Sequence, residues 1–119
     1  MTNNIDKWQL RQSISALINN SWAKCHKKLS VKSDYNKYIA QKSLFHVIRI
    51  IMYGIQIGKY GKITDYQCAN NYYNEIMNIK KEGDELWKFY KEKYQSIRNE
   101  LLSQFREYCP KPNNEKQNN

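Results

Sequence analysis

The stretch from about Tyr38 to Tyr60 constrains the fold more than any other part of this chain. Leu44, Phe45, Val47, Ile48, Ile50, Ile51, Met52, Ile55 and Ile57 surround nearly the whole axis of a helix drawn through it. A helix that is apolar on most sides needs neighbours on most sides, so this one is predicted to lie at the centre of the fold. Its apolar part, Leu44 to Ile57, is too short to span a bilayer and is interrupted by His46, Arg49 and Gln56. Gly54 and Gly58 lie inside it, each destabilising a helix interior by about 1 kcal/mol relative to alanine, which implies a close helix crossing there. Gly61 follows as a left-handed C-cap.

The other helices surround this one. Between Asp6 and Leu29, Leu10, Ile14, Leu17, Ile18, Trp22, Cys25 and Leu29 recur in steps of three and four, the inner face of a first helix over about 6–29. Ser33-Asp34 offers N-cap chemistry for the central helix, about 38–60. Asp65 can cap a third helix over about 66–78, with Cys68, Ala69, Tyr72, Tyr73, Ile76 and Met77 facing inward. Lys80 to Gly83 reads as a turn, and Asp84 then opens a fourth helix, about 85–108. Its inner face is Trp87, Tyr90, Tyr94, Ile97, Leu101, Phe105 and Tyr108. Pro110 and Pro112 end it, and the polar tail 110–119 has nothing to bury and is expected to be disordered. No segment alternates as a strand does. The expected architecture is all-α: a single four-helix bundle-like domain over residues 1–109, with consecutive helices antiparallel. A chain of 119 residues has room for one such core.

Charge separates the two halves. Up to Lys62 the chain holds 11 basic residues against Asp6 and Asp34, whereas the remainder has 9 of each sign, so the whole formal charge of +9 sits in the first half. Such a half favours a polyanion as partner. Cys25, Cys68 and Cys109 are widely spaced and odd in number, with only His26 and His46 beside them, and support neither a disulfide framework nor a zinc site. On apolar faces they read as small buried hydrophobes. The polar opening Met-Thr-Asn-Asn-Ile-Asp is unlike a signal peptide. The expectation is a protein of the cytoplasm or another reducing intracellular compartment, with no membrane partner and no cofactor.

Two constellations bear on function. Lys42, His46, Arg49, Tyr53, Gln56 and Tyr60 follow at steps of three and four, so the polar side chains of an apolar helix form one stripe. The stripe faces water, polar groups of a neighbouring helix, or a ligand, because an unpaired buried arginine is very costly. The structural reading is a solvated edge or a paired arginine; the functional one is an anion site in which Arg49 and Lys42 hold a phosphate and His46 adds a hydrogen bond. Lys24, Lys27 and Lys28 cluster on the first helix, either as a solvated face or as a phosphate-backbone contact. Ten tyrosines, among them Tyr35, Tyr38, Tyr53, Tyr60 and Tyr66 interleaved with lysines, read as core-edge residues with wet hydroxyls, the alternative being base stacking. No Gly-rich phosphate loop, Asp-x-Asp pair, His-Glu-x-x-His or Gly-x-Ser-x-Gly occurs. The Arg-then-His order of one helical ribonuclease class is reversed here, His46 preceding Arg49. No catalytic residue is assigned.

The run Lys42-Ser43-Leu44-Phe45-His46-Val47-Ile48-Arg49, followed by Met52-Tyr53-Gly54-Ile55 and Tyr60-Gly61-Lys62-Ile63, resembles the C-terminal helical region of RNA-repair-type nucleotidyltransferases of the DNA-polymerase-β superfamily. Asn20 to Leu29 and the helix from Trp87 to Tyr108 look like the flanking helices of that region, and the likeness covers residues 10 to 112. The resemblance implies a module that packs beside a catalytic domain and helps to hold nucleotide or polynucleotide, with Lys42, His46 and Arg49 facing substrate. The family's Gly-Ser and Asp-x-Asp motifs belong to an α/β domain that this chain lacks. The expectation is a non-catalytic module that binds RNA or DNA phosphates through Lys24, Lys27, Lys28, Lys42, His46 and Arg49. The alternative is an interaction subunit that docks a separately encoded nucleotidyltransferase catalytic domain. Abundant Asn, Lys, Ile and Tyr suit an AT-rich genome such as that of a large DNA virus.

Overall fold

The computed structural model describes residues 6–112. It is all-α, with helices Lys7–Ser30 (α1), Lys37–Tyr60 (α2), Asn70–Met77 (α3) and Gly83–Tyr108 (α4), a short 3-10 turn at Lys32–Asp34, and no strand among the described residues. The disorder expected of the tail falls, from residue 113 onward, outside the described residues. No helix among the described residues is long and apolar enough to cross a membrane.

Local chemistry sets the helix ends, and in three places it differs from the sequence reading. The cap of α2 is Asn36, whose side chain accepts from the Ile39 amide at 3.1 Å. Asp34 is turned back over α1 by the 3-10 turn and accepts from Lys28 Nζ at 2.8 Å instead. The third helix is shorter than expected, because the backbone of Thr64 and Asp65 is held by Gln56. Its Oε1 accepts from both amides at 2.8 Å, and its Nε2 donates to the Asp65 carbonyl at 2.9 Å. The Asp65 carboxylate closes a local turn on the Gln67 amide at 2.9 Å, and α3 starts only at Asn70. The fourth helix begins at Gly83, whose φ of 55° suits glycine, and Asp84 and Glu85 occupy its first turn. Gly61 ends α2 with φ 79°, as its position implies.

Consecutive elements run antiparallel. The Asn36 amide donates to the Lys28 carbonyl at 2.9 Å where α1 meets α2. The segment after Gly61 then returns along α2, bringing Tyr66 to Tyr53 and Ile76 to Gln41. α4 therefore runs parallel to α2 and antiparallel to α1, with Arg11 Nη1 donating to the Cys109 carbonyl at 3.2 Å. Because α3 has only 8 residues, α2 and α4 touch directly instead of facing each other across a bundle diagonal.

α2 contributes to both halves of the core. Ala40, Leu44, Phe45 and Ile48 pack with Cys25, Leu29, Ile76, Leu86, Tyr90 and Tyr94, while Val47 and Ile51 pack with Ile14, Ile18, Phe105 and Cys109. The two fully buried phenols are both satisfied. Tyr90 donates to the Ile76 carbonyl at 2.7 Å, and Tyr94 to Glu75 Oε1 at 2.6 Å. Gln41, also buried, donates to the same Ile76 carbonyl at 3.3 Å. These bonds close the C-terminal end of α3, whose helix is too short to hold itself. Leu17, placed by periodicity on the inner face, is 44% exposed at the margin of the α1 stripe.

The close crossing falls at the two glycines. A Cβ on Gly54 would stand 2.6 Å from Ile14 Cδ1 and 2.9 Å from Phe105 Cε1, and one on Gly58 would stand 2.9 Å from both Cys109 Sγ and Tyr108 Cβ. Gly54→Ala adds about 1 kcal/mol of helix propensity but forces a methyl between two buried side chains. The expected balance is a loss of about 1–2 kcal/mol by urea denaturation, and a gain in stability would show that the crossing is loose. Gln56→Leu removes the partner of the Thr64 and Asp65 amides at a cost of about 2 kcal/mol. Hydrogen exchange at those two amides should accelerate markedly while exchange in α1 is unchanged.

Candidate functional site

Four of the basic and polar residues singled out in the sequence converge in space. Lys24 on α1 and Lys42, His46 and Arg49 on α2 line one groove between the two helices, with Ser21, Ile39 and Ser43 completing it, and its volume is about 440 Å³. Helical spacing explains the convergence. Residues 42, 46 and 49 are separated by steps of four and three and so share a face, and antiparallel packing brings the second half of α1 alongside the first half of α2.

The electrostatics of the groove are one-sided, since none of its lining residues is acidic. Among the described residues no carboxylate pairs with Lys24, Lys42 or Arg49. Arg49 is held by ring faces instead, its guanidinium carbon lying 5.1 Å from the Phe45 centroid and 5.9 Å from that of Tyr53. Its Nε is buried without a hydrogen-bond partner. Lys42 Nζ lies 5.3 Å from the Tyr38 ring. His46 is half-buried, and burial first, then the charge of Arg49, holds its pKa below the usual imidazole value. Near neutral pH its ring is therefore uncharged, offering one donor and one acceptor to whatever occupies the groove.

Lys27 and Lys28 lie elsewhere. Lys28 Nζ is 2.8 Å and Lys27 Nζ 3.8 Å from the Asp34 carboxylate, whose pKa is lowered chiefly by the Lys28 hydrogen bond. His26 leaves the basic run too, stacking on Trp87 at 4.3 Å. The C-terminal half of the α2 stripe is structural. Tyr53 donates to the Tyr66 carbonyl at 2.7 Å, and Gln56 holds the Thr64–Asp65 backbone. The stripe thus divides at Arg49, its first half open to a groove and its second tying down the α2–α3 connection.

Two features of this site escaped the sequence reading. Tyr73 of α3 packs edge-on against Phe45 at 5.1 Å, and Tyr66 packs edge-on against Tyr53 at 5.7 Å, so residues far along the chain flank Arg49. The alternation of Tyr with Lys hinted at the ring faces, but nothing local linked Tyr73 to Phe45. The thiols add no reactive group. Burial pushes Cys25 up to about 12 and raises Cys68 and Cys109, keeping all three protonated near neutral pH. Among the described residues no three His, Cys, Asp or Glu side chains gather as metal ligands would.

No protein-family model, curated protein or solved structure matches this chain.

The His46 environment generates a pH signature with a definite sign. A histidine whose folded pKa lies below its unfolded value of about 6.5 is protonated first in the unfolded state. Its contribution is complete above that value and is lost as pH falls towards the folded pKa. Urea unfolding should therefore show stability decreasing from pH 7.5 to 5.5 in the wild type, with a shallower slope in His46→Gln. Equal slopes would mean that the ring is solvated.

Proposed function

We propose that this protein is a helical module that binds the phosphates of nucleic acid in the groove between α1 and α2, with Lys24, Lys42 and Arg49 as the cations and His46 as a neutral hydrogen-bonding partner. The observation that carries the reading is the convergence of these side chains from two helices on one groove whose lining contains no carboxylate. Cations gathered without counter-charges repel one another, and an anion relieves that repulsion. Arg49 supplies the directional part, because a planar guanidinium pinned between rings has already lost the freedom it would lose on clamping a phosphate.

The long-range field acts in the same sense. All of the +9 formal charge belongs to the half of the chain that forms α1 and α2, so a polyanion is drawn towards these helices before contact. Lys27 and Lys28 contribute to that field while their ammonium groups stay on Asp34. The resemblance of Lys42 to Arg49 and its flanking runs to the C-terminal helical region of nucleotidyltransferases supports the same assignment, with Lys42, His46 and Arg49 facing substrate. On that likeness the module works beside a nucleotidyltransferase catalytic domain.

Three phosphate contacts on a single strand predict a slope of about −2 in log affinity against log salt. Fluorescence anisotropy with a labelled single-stranded RNA should thus show affinity falling roughly 40-fold between about 50 and 300 mM salt. Arg49→Ala should weaken binding by more than tenfold, and Lys24→Ala with Lys42→Ala should flatten the salt slope to less than half. Both lysines are exposed, so the double variant keeps its fold, as circular dichroism checks. Absence of binding at either salt by the folded wild type would falsify the proposal.

A further inference from the structure

Arg49 stands in the middle of a row of aromatic rings that runs from α3 to the α2–α3 connection. Tyr73 packs on Phe45 at 5.1 Å, Phe45 and Tyr53 bracket the guanidinium, and Tyr53 packs on Tyr66 at 5.7 Å. The outer members of the row are solvent-facing, Tyr66 being 66% and Tyr73 38% exposed, and beyond the other end of the groove Tyr38, beside Lys42, is 56% exposed. Exposed rings of this size forgo hydrophobic burial that the fold could have used. The backbone that carries Tyr66 is nevertheless held in place. The Tyr66 carbonyl is fixed by the Tyr53 hydroxyl, and the preceding residues by Gln56.

From this arrangement we infer that the polynucleotide bound in the groove is single-stranded, its phosphates on Lys24, Lys42 and Arg49 and its bases stacked on Tyr38, Tyr66 and Tyr73. The inference rests on the phosphate-binding reading of the groove and adds the chemical class of its ligand. In a duplex the base faces are already stacked on one another, and a row of tyrosines has nothing to read. In a single strand each base has a free π-face, and rings alternating with cations are what such a strand takes. From Tyr38 to Tyr53 the α2 axis rises about 22 Å, long enough for several nucleotides. The rings read no base edge, so the preference is for strandedness and not for sequence.

The test compares four probes of equal length on the wild-type chain: a single-stranded DNA 12-mer, its duplex, an abasic oligomer with the same phosphates, and the matching single-stranded RNA. Both single strands should bind at least tenfold more tightly than the duplex or the abasic oligomer. Tyr38→Ala with Tyr66→Ala, at positions more than half exposed, should remove about tenfold of single-strand affinity and leave abasic binding unchanged. Tyr66→Phe, which keeps the ring, should bind as the wild type does. Equal affinity for the abasic oligomer, or full single-strand affinity in the double alanine variant, overturns the stacking inference and leaves the phosphate site standing. Binding of RNA but of no DNA also overturns it, because the ring faces see only what the two strands share. If no probe binds, the phosphate reading itself is lost.

Discussion

The rest of the structure depends on how closely α1 and α4 approach α2 at Gly54 and Gly58. Ile14 Cδ1 and the Phe105 ring occupy the space that a side chain on Gly54 would take, and Cys109 and Tyr108 do the same at Gly58. With backbones this near, the apolar faces of three long helices close around one axis, and Val47, Ile51, Phe105 and Cys109 become fully buried. Glycine in a helix interior is locally unfavourable, and the tertiary contacts that its missing side chain permits offset the loss. Packing at this end also sets where α1 lies relative to α2 further along, and so where Lys24 stands opposite Lys42, His46 and Arg49.

Polar groups divide into those the fold satisfies and those it leaves available. Gln41, Gln56, Tyr90 and Tyr94 each meet a backbone or carboxylate partner and hold α3 and its connection against the long helices. The carboxylates in ion pairs are engaged away from the groove: Asp34 with Lys28 and Lys27, Glu82 with Lys37, Glu75 with Lys93. Tyr35 also donates to Glu82, so the α1–α2 connection is fastened to the residue preceding α4. Neutralisation is thus local at these places, while among the described residues no carboxylate pairs with Lys24, Lys42 or Arg49. Exposed pairs of this kind add little to stability, and their chief effect is on where the uncompensated charge lies.

Arg49 links scaffold and surface. Its stem and guanidinium lie against Phe45 and Tyr53, one ring in the core and the other bonded to the α2–α3 connection. Its position is therefore decided by packing against these rings. Burial lowers the basicity of His46, and the charge of Arg49 acts in the same direction.

Much of the fold was legible in the sequence because it depends on local periodicity. The apolar faces of α1, α2 and α4, the glycine crossing and the Gly61 cap all follow from spacing within one segment. The start of α3 was not legible, because Asp65 has good capping chemistry and loses its role to a glutamine nine residues earlier, a contact made only once the chain has turned back. The same holds for the cap of α2, where Asn36 acts and Asp34 is drawn to Lys28. At the candidate site, the sequence alone determined that Lys42, His46 and Arg49 share a helix face. Tertiary structure decided that Lys24 joins them, that Lys27 and Lys28 do not, and that Tyr66 and Tyr73 flank Arg49. The physical reason is range: helix periodicity acts over three or four residues, whereas which side chains meet across helices depends on crossing and register, set by packing between residues as distant in the chain as Ile14, Gly54 and Phe105.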